Sequence, residues 1–280
     1  TSFSIGDLSN WDVSSATTFY AMFLRTANKM IGPFNIGNLA EKTVELEDGT
    51  TYTAWDMNGV TDVSYMFGAT ARESDDFYIG DLSSWNTSSI TNMAGLFNFP
   101  GQNDLDWYVG DLSNWNTSSV TNMHYMFAGA GYKATNFNLG DLSNWDVSKV
   151  TDMGNMFALS GDYASEYYIG NISNWDTSAV TDMSNMFKDT GNHVTNLSLD
   201  LSNWDVSAVT TMENMFQNMG YNSTNFSIGN LDTWNPANVT TMINMFRGTG
   251  RMTTLFSIGD ISTWNVSNVV DMSNMFYETG

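Results

Sequence analysis

The sequence has no cysteine, few histidines and little positive charge. Without cysteine, disulfides and thiolate metal sites are excluded. Nine Lys and Arg stand against thirty Asp and Glu, which gives a net charge of −21 over 280 residues. This negative field repels nucleic acid and anionic membranes, so we expect neither as a partner. It also keeps a chain with ten Trp and nineteen Met soluble.

Long apolar runs and catalytic motifs are also missing. No run approaches the roughly 18 residues of a membrane span, so no membrane insertion is predicted. The chain opens inside its repeat pattern without a signal peptide, and we expect a mature or excised segment. His124 and His193 occupy different repeat positions, and no phosphate loop, nucleophile elbow or histidine metal motif is present. We therefore expect no enzymatic activity.

The chain is one motif repeated nine times, predicted as a single domain over residues 1–280. A tryptophan marks each repeat: Trp11, Trp55, Trp85, Trp115, Trp145, Trp175, Trp204, Trp234 and Trp264. The usual spacing is about 30 residues, which is typical of stacked repeats. The second repeat carries an insertion, where β-rich runs flank Asp48-Gly49. We expect a β-hairpin over residues 40–53.

The apolar spacing inside one repeat predicts its secondary structure. In the fifth repeat, Phe137 and Leu139 alternate as in a strand. Val150, Met153 and the Met156-Phe157 pair lie on one face of a short helix, with Ser148 or Thr151 as its cap. We therefore predict an α/β fold: a leucine-rich-repeat-like, right-handed solenoid of nine units, each with a short parallel strand, a turn and a short helix. The Trp and Met side chains should form its core, and each indole N–H should find a carbonyl in an adjacent repeat.

The repeat motif resembles that of a known family. The pattern Leu-Ser-Asn-Trp-Asp-Val-Ser-x-Val-Thr-x-Met-x-x-Met-Phe, over nearly the whole chain, is similar to the BspA-like leucine-rich repeats of bacterial surface proteins and adhesins. The period of 30 departs from the roughly 25 residues expected for this class. The resemblance implies an extracellular, cell-surface location and a role in adhesion or surface architecture, and it brings no catalytic residues.

Two columns of acidic residues recur in the repeats. Asp141 represents the column after the conserved Gly, and Asp146 the column after the Trp. Stacked carboxylates could bind Ca²⁺, which makes both residues candidate metal ligands. Asp and Asn interchange in each column, however, which favours a side-chain oxygen that accepts from nearby backbone N–H groups, as in an Asx turn. The sequence favours the turn and leaves the metal open.

Three tyrosines form the best candidate ligand site. Tyr78, Tyr108 and Tyr168 occupy the position between the two strand anchors, with Asn138 interrupting the row. If the anchors point into the core, these side chains point outward. An exposed aromatic row suits stacking on a glycan or contact with a host or matrix protein. The alternative is scattered surface tyrosine, since only three repeats comply.

The chain also carries glycosylation sequons. Asn196, Asn222 and Asn225 fall in the variable connectors and are the most credible acceptors if the host glycosylates.

Neither end has the polar capping unit that repeat arrays normally carry. Either the segment is cut from a longer array or copies of the chain stack head to tail into a fibre. The leading hypothesis is a non-enzymatic, extracellular structural protein that serves adhesion or assembles with itself. The alternative is a surface module that binds a glycan or protein ligand on its sheet face.

Overall fold

Successive repeats stack in parallel in the computed structural model, which describes residues 3–280. Each repeat forms one layer of the stack, here called a rung. One position in each rung makes a parallel bridge to the same position in the next: Thr18, Asp62, Asn92, Asn122, Asp152, Asp182, Thr211, Thr241 and Asp271. Because the bridges join equivalent positions, equivalent residues of neighbouring repeats face one another.

Regular secondary structure is sparse. Three parallel pairs join β1 (Phe34–Asn35) to β4 (Phe77–Tyr78), β5 (Asn136–Asn138) to β6 (Glu166–Tyr168), and β7 (Asn196–Ser198) to β8 (Asn225–Ser227). β2 (Lys42–Glu45) and β3 (Thr51–Ala54) pair antiparallel. Single 3-10 turns occur at Leu112–Asn114, Leu142–Asn144 and Ile261–Thr263. The remaining described residues form turns, bends and irregular backbone.

The predicted fold class is wrong. No α-helix occurs in residues 3–280, and the strands form four separate two-stranded sheets. The structure is therefore not an α/β, leucine-rich-repeat-like, right-handed solenoid of helix-bearing units. The short helix expected from Val150 to Phe157, with a cap at Ser148 or Thr151, is replaced by consecutive turns.

Backbone conformation explains why residues 150–161 are not helical. Asn155, Leu159 and Gly161 have positive φ of 60°, 60° and 51°. The left-handed region interrupts a right-handed helix at each of these points. We call residues 151–161 and their equivalents the turn run. Its positive-φ positions recur in the other rungs, where Asn and Gly are frequent because they tolerate this conformation.

Hydrogen bonds in the turn run alternate between two directions. The N–H groups of Met156 and Ala158 donate three residues back within the rung, to Met153 and Asn155. The N–H of Asn155 donates instead to the carbonyl of Ser184 in the next rung, at 2.8 Å. The run is therefore a ladder of turns whose apolar side chains keep helix-like sequence spacing without a helix.

Aromatic side chains stack through the core from rung to rung. The phenylalanines of the turn run lie 5.5 to 5.9 Å apart, from Phe23 to Phe276. Near-parallel tryptophans lie 6.1 to 6.5 Å apart, as in Trp115 and Trp145. Trp145 Nε1 donates to the carbonyl of Leu112 at 2.9 Å, in the preceding rung, and the equivalent tryptophans from Trp55 to Trp264 repeat this bond. The expected carbonyl partner is thus confirmed for the eight repeat tryptophans from Trp55 to Trp264, whereas the buried Nε1 of Trp107, outside this column, has no partner among the described residues.

The antiparallel pair lies beside the first two rungs. Val44 and Tyr52 pack partly against the core, and the Tyr52 hydroxyl donates to the carbonyl of Asn10. The chain reverses through Asp48-Gly49, where Gly49 has a φ of 80°. Glu41 accepts from the N–H of Asn86, so this segment also contacts a later rung.

Candidate ligand-binding face

The strand positions set the outline of the site. Phe137 of β5 is buried whereas Asn136 and Asn138 are exposed, because successive strand side chains point to opposite faces. The outward position is Tyr78 in β4, Tyr168 in β6, and Tyr108 in the rung between β4 and β5. These three side chains are 42%, 50% and 51% exposed for Tyr78, Tyr168 and Tyr108, respectively. We call them the tyrosine face.

Two of the three tyrosines share a groove. Tyr108 and Tyr168 line an open cleft of about 370 Å³, together with Asn138, Asp111 and Asp141. Tyr78 lies outside this cleft, two rungs before β5. The structure thus brings Tyr108 and Tyr168 to one site and leaves Tyr78 as a neighbour on the same face.

A second cleft continues the first. It has a volume of about 410 Å³ and is lined by Asp141, Tyr168, Asn171 and Asp200 among others. Because Asp141 and Tyr168 line both clefts, the two form one groove that runs across successive rungs. Its walls combine phenol rings with carboxylate and amide side chains.

The glycine before each acidic residue makes room for the acid of the preceding rung. Gly140 has a φ of 83°, and a Cβ at this position would overlap the carboxylate of Asp111. Gly170 has the same relation to Asp141. The regular recurrence of this Gly is therefore structural, since the backbone must approach the neighbouring side chain closely.

The acidic columns make the hydrogen bonds of Asx turns. Asp141 Oδ1 accepts from the Ser143 N–H at 3.0 Å, and Asp146 Oδ1 accepts from the N–H and the hydroxyl of Ser148. Donation from Ser143 lowers the pKa of Asp141, and donation from Ser148 lowers the pKa of Asp146. Both side-chain oxygens therefore accept the bonds of an Asx turn, and these bonds favour the ionised form of each carboxyl.

The candidate metal ligands do not lie in one cluster. Asp141 lines the groove, whereas Asp146 is absent from its walls. Within residues 3–280, no group of three or more His, Asp or Glu side chains is placed to hold a metal ion. Ca²⁺ binding by Asp141 or Asp146 stays a prediction.

The acidic residues of neighbouring rungs affect the pKa of Tyr108. Burial of its ring raises the pKa of the Tyr108 phenol, and the carboxylates of Asp81 and Asp111 raise it further. The phenol therefore stays protonated and can donate a hydrogen bond at neutral pH. The groove thus offers a hydroxyl donor beside carboxylate acceptors.

The three predicted glycosylation sites are exposed at the surface. Only Asn222 lies in a connector; Asn196 and Asn225 begin β7 and β8, where the Asn225 amide donates to Asn196 Oδ1. A glycan on either strand residue would displace this contact between rungs.

Two groups of groove residues do not follow from the repeat pattern: Asp200, and the pair Asn138 and Asp111. Asp200 was not assigned to the acidic column because its repeat lacks the preceding Gly, yet its Oδ1 accepts from the Ser202 N–H at 3.0 Å, as in the other rungs. Aligning that repeat from Trp204 backward would have found it. Asn138 and Asp111 were seen in the sequence, but nothing in the pattern placed them beside Tyr108 and Tyr168.

The fold and groove define a protein of stacked, turn-rich repeats with exposed tyrosines along an open groove. The chain belongs to the family described as Mycoplasma protein of unknown function, DUF285, whose model matches residues 1–77, 38–158, 131–227 and 192–280. No curated protein and no solved structure matches the chain. In the part of the chain that the structure describes, no helix has the length and apolar character to cross a membrane.

Proposed function

We propose that the chain is a non-enzymatic, extracellular surface protein that serves adhesion by binding a neutral glycan along its tyrosine face. The observation that carries this proposal is the groove in which Tyr108 and Tyr168 flank Asn138 and Asp141. Phenol rings stack on the apolar faces of sugar rings, and carboxylate and amide groups pair with sugar hydroxyls. The groove supplies both on a backbone fixed by stacked rungs.

Charge selects the ligand class. Asp111 and Asp141 line the groove of a protein with net charge −21, so an acidic glycan would be repelled. A neutral saccharide has hydroxyl donors for these carboxylates and carries no charge. The sequence resemblance to BspA-like surface proteins supports the cell-surface location and the adhesive role.

The test is a pair of matched tyrosine variants. Tyr108→Ala combined with Tyr168→Ala should weaken binding to neutral oligosaccharides on a glycan array by about tenfold or more, since each lost aromatic contact is worth about 0.5–1.5 kcal/mol. Tyr163→Ala is the control, because Tyr163 is equally exposed but lies outside the groove. Absence of neutral-glycan binding by the unaltered protein, or equal binding by the double variant, would refute the proposal.

A second candidate function is head-to-tail assembly into a fibre. The first described rung exposes Phe3, Ile5 and Trp11, and the last exposes Met272 and Phe276. Such a surface is covered either by a second copy or by further repeats of a longer protein. Sedimentation velocity should show association that grows with concentration and is abolished by Phe276→Glu. A monomer at millimolar concentration would exclude assembly by this chain alone.

A further inference from the structure

A cavity of about 510 Å³ lies beside the turn runs of the first three rungs. None of its lining residues belongs to the groove of the tyrosine face. It is lined by aromatic, amide and arginine side chains, and no acidic residue is among them. We call it the arginine pocket. Its charged lining residues are basic, whereas those of the groove at the tyrosine face are acidic.

Residues of three successive rungs line the arginine pocket. They are Leu24 and Arg25 of the first rung, Gly68 and Ala69 of the second, and Asn98 and Phe99 of the third, among others. Close packing requires glycine at position 68, because a Cβ there would meet the Leu24 side chain at 2.8 Å. The pocket therefore depends on how the side chains of these particular rungs combine.

Aromatic rings form the walls of the pocket. Tyr20 is 63% exposed, and Tyr65 extends over the next rung, where a Cβ on Gly95 would overlap its ring. Phe99 supports the Arg72 guanidinium, whose central carbon lies 5.2 Å from the ring centroid. These rings offer flat apolar surface of the kind that stacks on a sugar or another ring.

Two of the nine basic residues of the chain line this one pocket. Arg25 and Arg72 are both exposed, and neither forms an ion pair with any residue from 3 to 280. Arg72 donates through Nε to Gln102, which fixes its side chain. Two unpaired guanidinium groups in a strongly acidic protein form a local site for a carboxylate, which arginine binds through two parallel hydrogen bonds.

Amide groups add a polar requirement. Asn28 and Asn98 line the pocket and are both partly exposed. Side-chain amides at a pocket surface need hydrogen-bond partners when a ligand displaces the water around them. A ligand for this pocket should therefore carry hydroxyl groups as well as a carboxylate.

We propose that the arginine pocket binds an acidic sugar of the hexuronate class. The carboxylate pairs with Arg25 and Arg72, the ring stacks on Tyr20 or Tyr65, and the ring hydroxyls bond to the lining amides. An aromatic acid would satisfy the arginines and rings but leave the amides of Asn28 and Asn98 without partners, which favours the sugar. This proposal is independent of the neutral-glycan proposal, because the two sites share no residue.

The experiment compares galacturonate with galactose, which has the same ring arrangement without the carboxylate. The titration uses the double variant Tyr108→Ala and Tyr168→Ala, so that neutral-sugar binding at the tyrosine face does not contribute. NMR or calorimetry should then show galacturonate binding and at least tenfold weaker binding of galactose. Added salt should weaken the galacturonate affinity because the arginines are exposed. If galacturonate does not bind, or if galactose binds equally well, the proposal fails.

Matched variants locate the binding. The double variant Arg25→Gln and Arg72→Gln should lose at least tenfold in galacturonate affinity. Arg247→Gln is the control because Arg247 contacts Tyr277, far along the chain from the pocket. A loss in this control equal to that of the double variant would show a general charge effect and overturn the assignment.

A pocket-filling variant tests the site without removing charge. Ala69→Leu places a larger side chain in the lining of the pocket. Leu159 occupies the equivalent position with a φ of 60°, close to the 50° of Ala69, so folding should be preserved. Galacturonate binding should be lost while neutral-glycan binding at Tyr108 and Tyr168 is unchanged. Unaltered galacturonate affinity would place the ligand elsewhere.

Discussion

Asn155 shows at one residue why the turn run is not a helix. Its φ of 60° lies in the left-handed region, and its N–H bonds to the next rung instead of to its own turn. All eight other rungs have a positive φ at this position, on residues that include Tyr125 and Gly95. This conformation costs free energy for most L-residues, whereas glycine adopts it freely.

Substitutions at Asn155 therefore distinguish the two backbones. Asn155→Gly should leave the free energy of unfolding unchanged or raise it, and Asn155→Ala should lower it by about 1 kcal/mol. In a helix the order reverses, since alanine is favoured over glycine by about 1 kcal/mol. Urea unfolding of both variants measures the order. A more stable alanine variant would contradict the turn structure.

Asp162 gives the protein a pH-dependent element that its sequence does not reveal. Its side chain is 5% exposed, and its Oδ1 has no donor among the described residues. Burial raises the pKa of Asp162 from 3.8 to about 6, although the nearby His193 opposes the shift. The protonated form is thus favoured on folding. The contribution of Asp162 to the free energy of unfolding is therefore fully present below pH 3.8 and is lost as the pH rises through about 6.

Asp162→Asn should accordingly stabilise the protein at high pH. At pH 8 we expect the free energy of unfolding to rise by roughly 1–3 kcal/mol, and at pH 4 to change little. Asp176→Asn is the control, since Asp176 is exposed and Asn116 fills the same place in another rung. Denaturant unfolding at both pH values measures the difference. An equal effect of Asp162→Asn at pH 4 and pH 8 would rule out titration of this group.

At the residue scale, the sequence predicts which side chains are buried better than it predicts their backbone. Trp145, Met153, Met156 and Phe157 are core residues as expected. The spacing of Val150, Met153 and Phe157 matches a helix because consecutive turns place side chains inward at similar intervals. Asn and Gly at the positive-φ positions were the available signal against a helix, and the apolar pattern outweighed them.

Among the elements, the contact between a glycine and the preceding acid joins one rung to the next. The Gly140 backbone lies against the Asp111 carboxylate, and Asp111 in turn accepts from the Ser113 N–H at 3.0 Å. We call this pair, a glycine and the acid of the preceding rung, a corner. Each corner therefore combines an Asx turn with a close approach between two rungs. The seventh repeat omits the glycine and keeps the Asx turn through Asp200, so the turn is the more constant part.

Substitution of two glycines with equal φ distinguishes the cost of backbone strain from the cost of a steric clash with the neighbouring rung. Gly140 and Gly6 both have a φ of 83°, but a Cβ on Gly6 would meet nothing within 4 Å. Gly6→Ala should cost about 1 kcal/mol from backbone strain alone, and Gly140→Ala should cost about 1–3 kcal/mol more. Thermal or urea unfolding compares the two. Equal losses would show that Asp111 moves aside freely.

On the scale of the whole molecule, stability should vary along the stack. Each rung contacts only its neighbours, so the central rungs are supported on both sides. The N–H groups of Phe157 and Phe246 make equal bonds of 2.9 Å to the next rung, but Phe246 lies one rung from the last. Hydrogen exchange should therefore be slower at Phe157 than at Phe246. Equal exchange rates would indicate that all rungs unfold together.

The repeat period also explains what could be predicted about the binding sites. The period places Tyr108 and Tyr168 two rungs apart on one face, and this follows from the sequence alone. The arginine pocket does not, because it depends on how Leu24, Arg25 and Arg72 combine in particular neighbouring rungs. A consensus motif averages away the differences between repeats, and those differences form the pocket.

The alternating hydrogen bonds of the turn run make the stack directional. In the fifth rung, the N–H groups of Met153, Asn155, Phe157 and Leu159 all donate toward the C-terminal neighbour. Their peptide dipoles are therefore parallel, like those along a helix axis. Over residues 152–159, one surface presents N–H donors and the opposite surface presents carbonyl acceptors, whereas Thr151 and Gly161 donate to the N-terminal neighbour. A repeat added by gene duplication fits at any level, whereas an inverted one would set donors against donors.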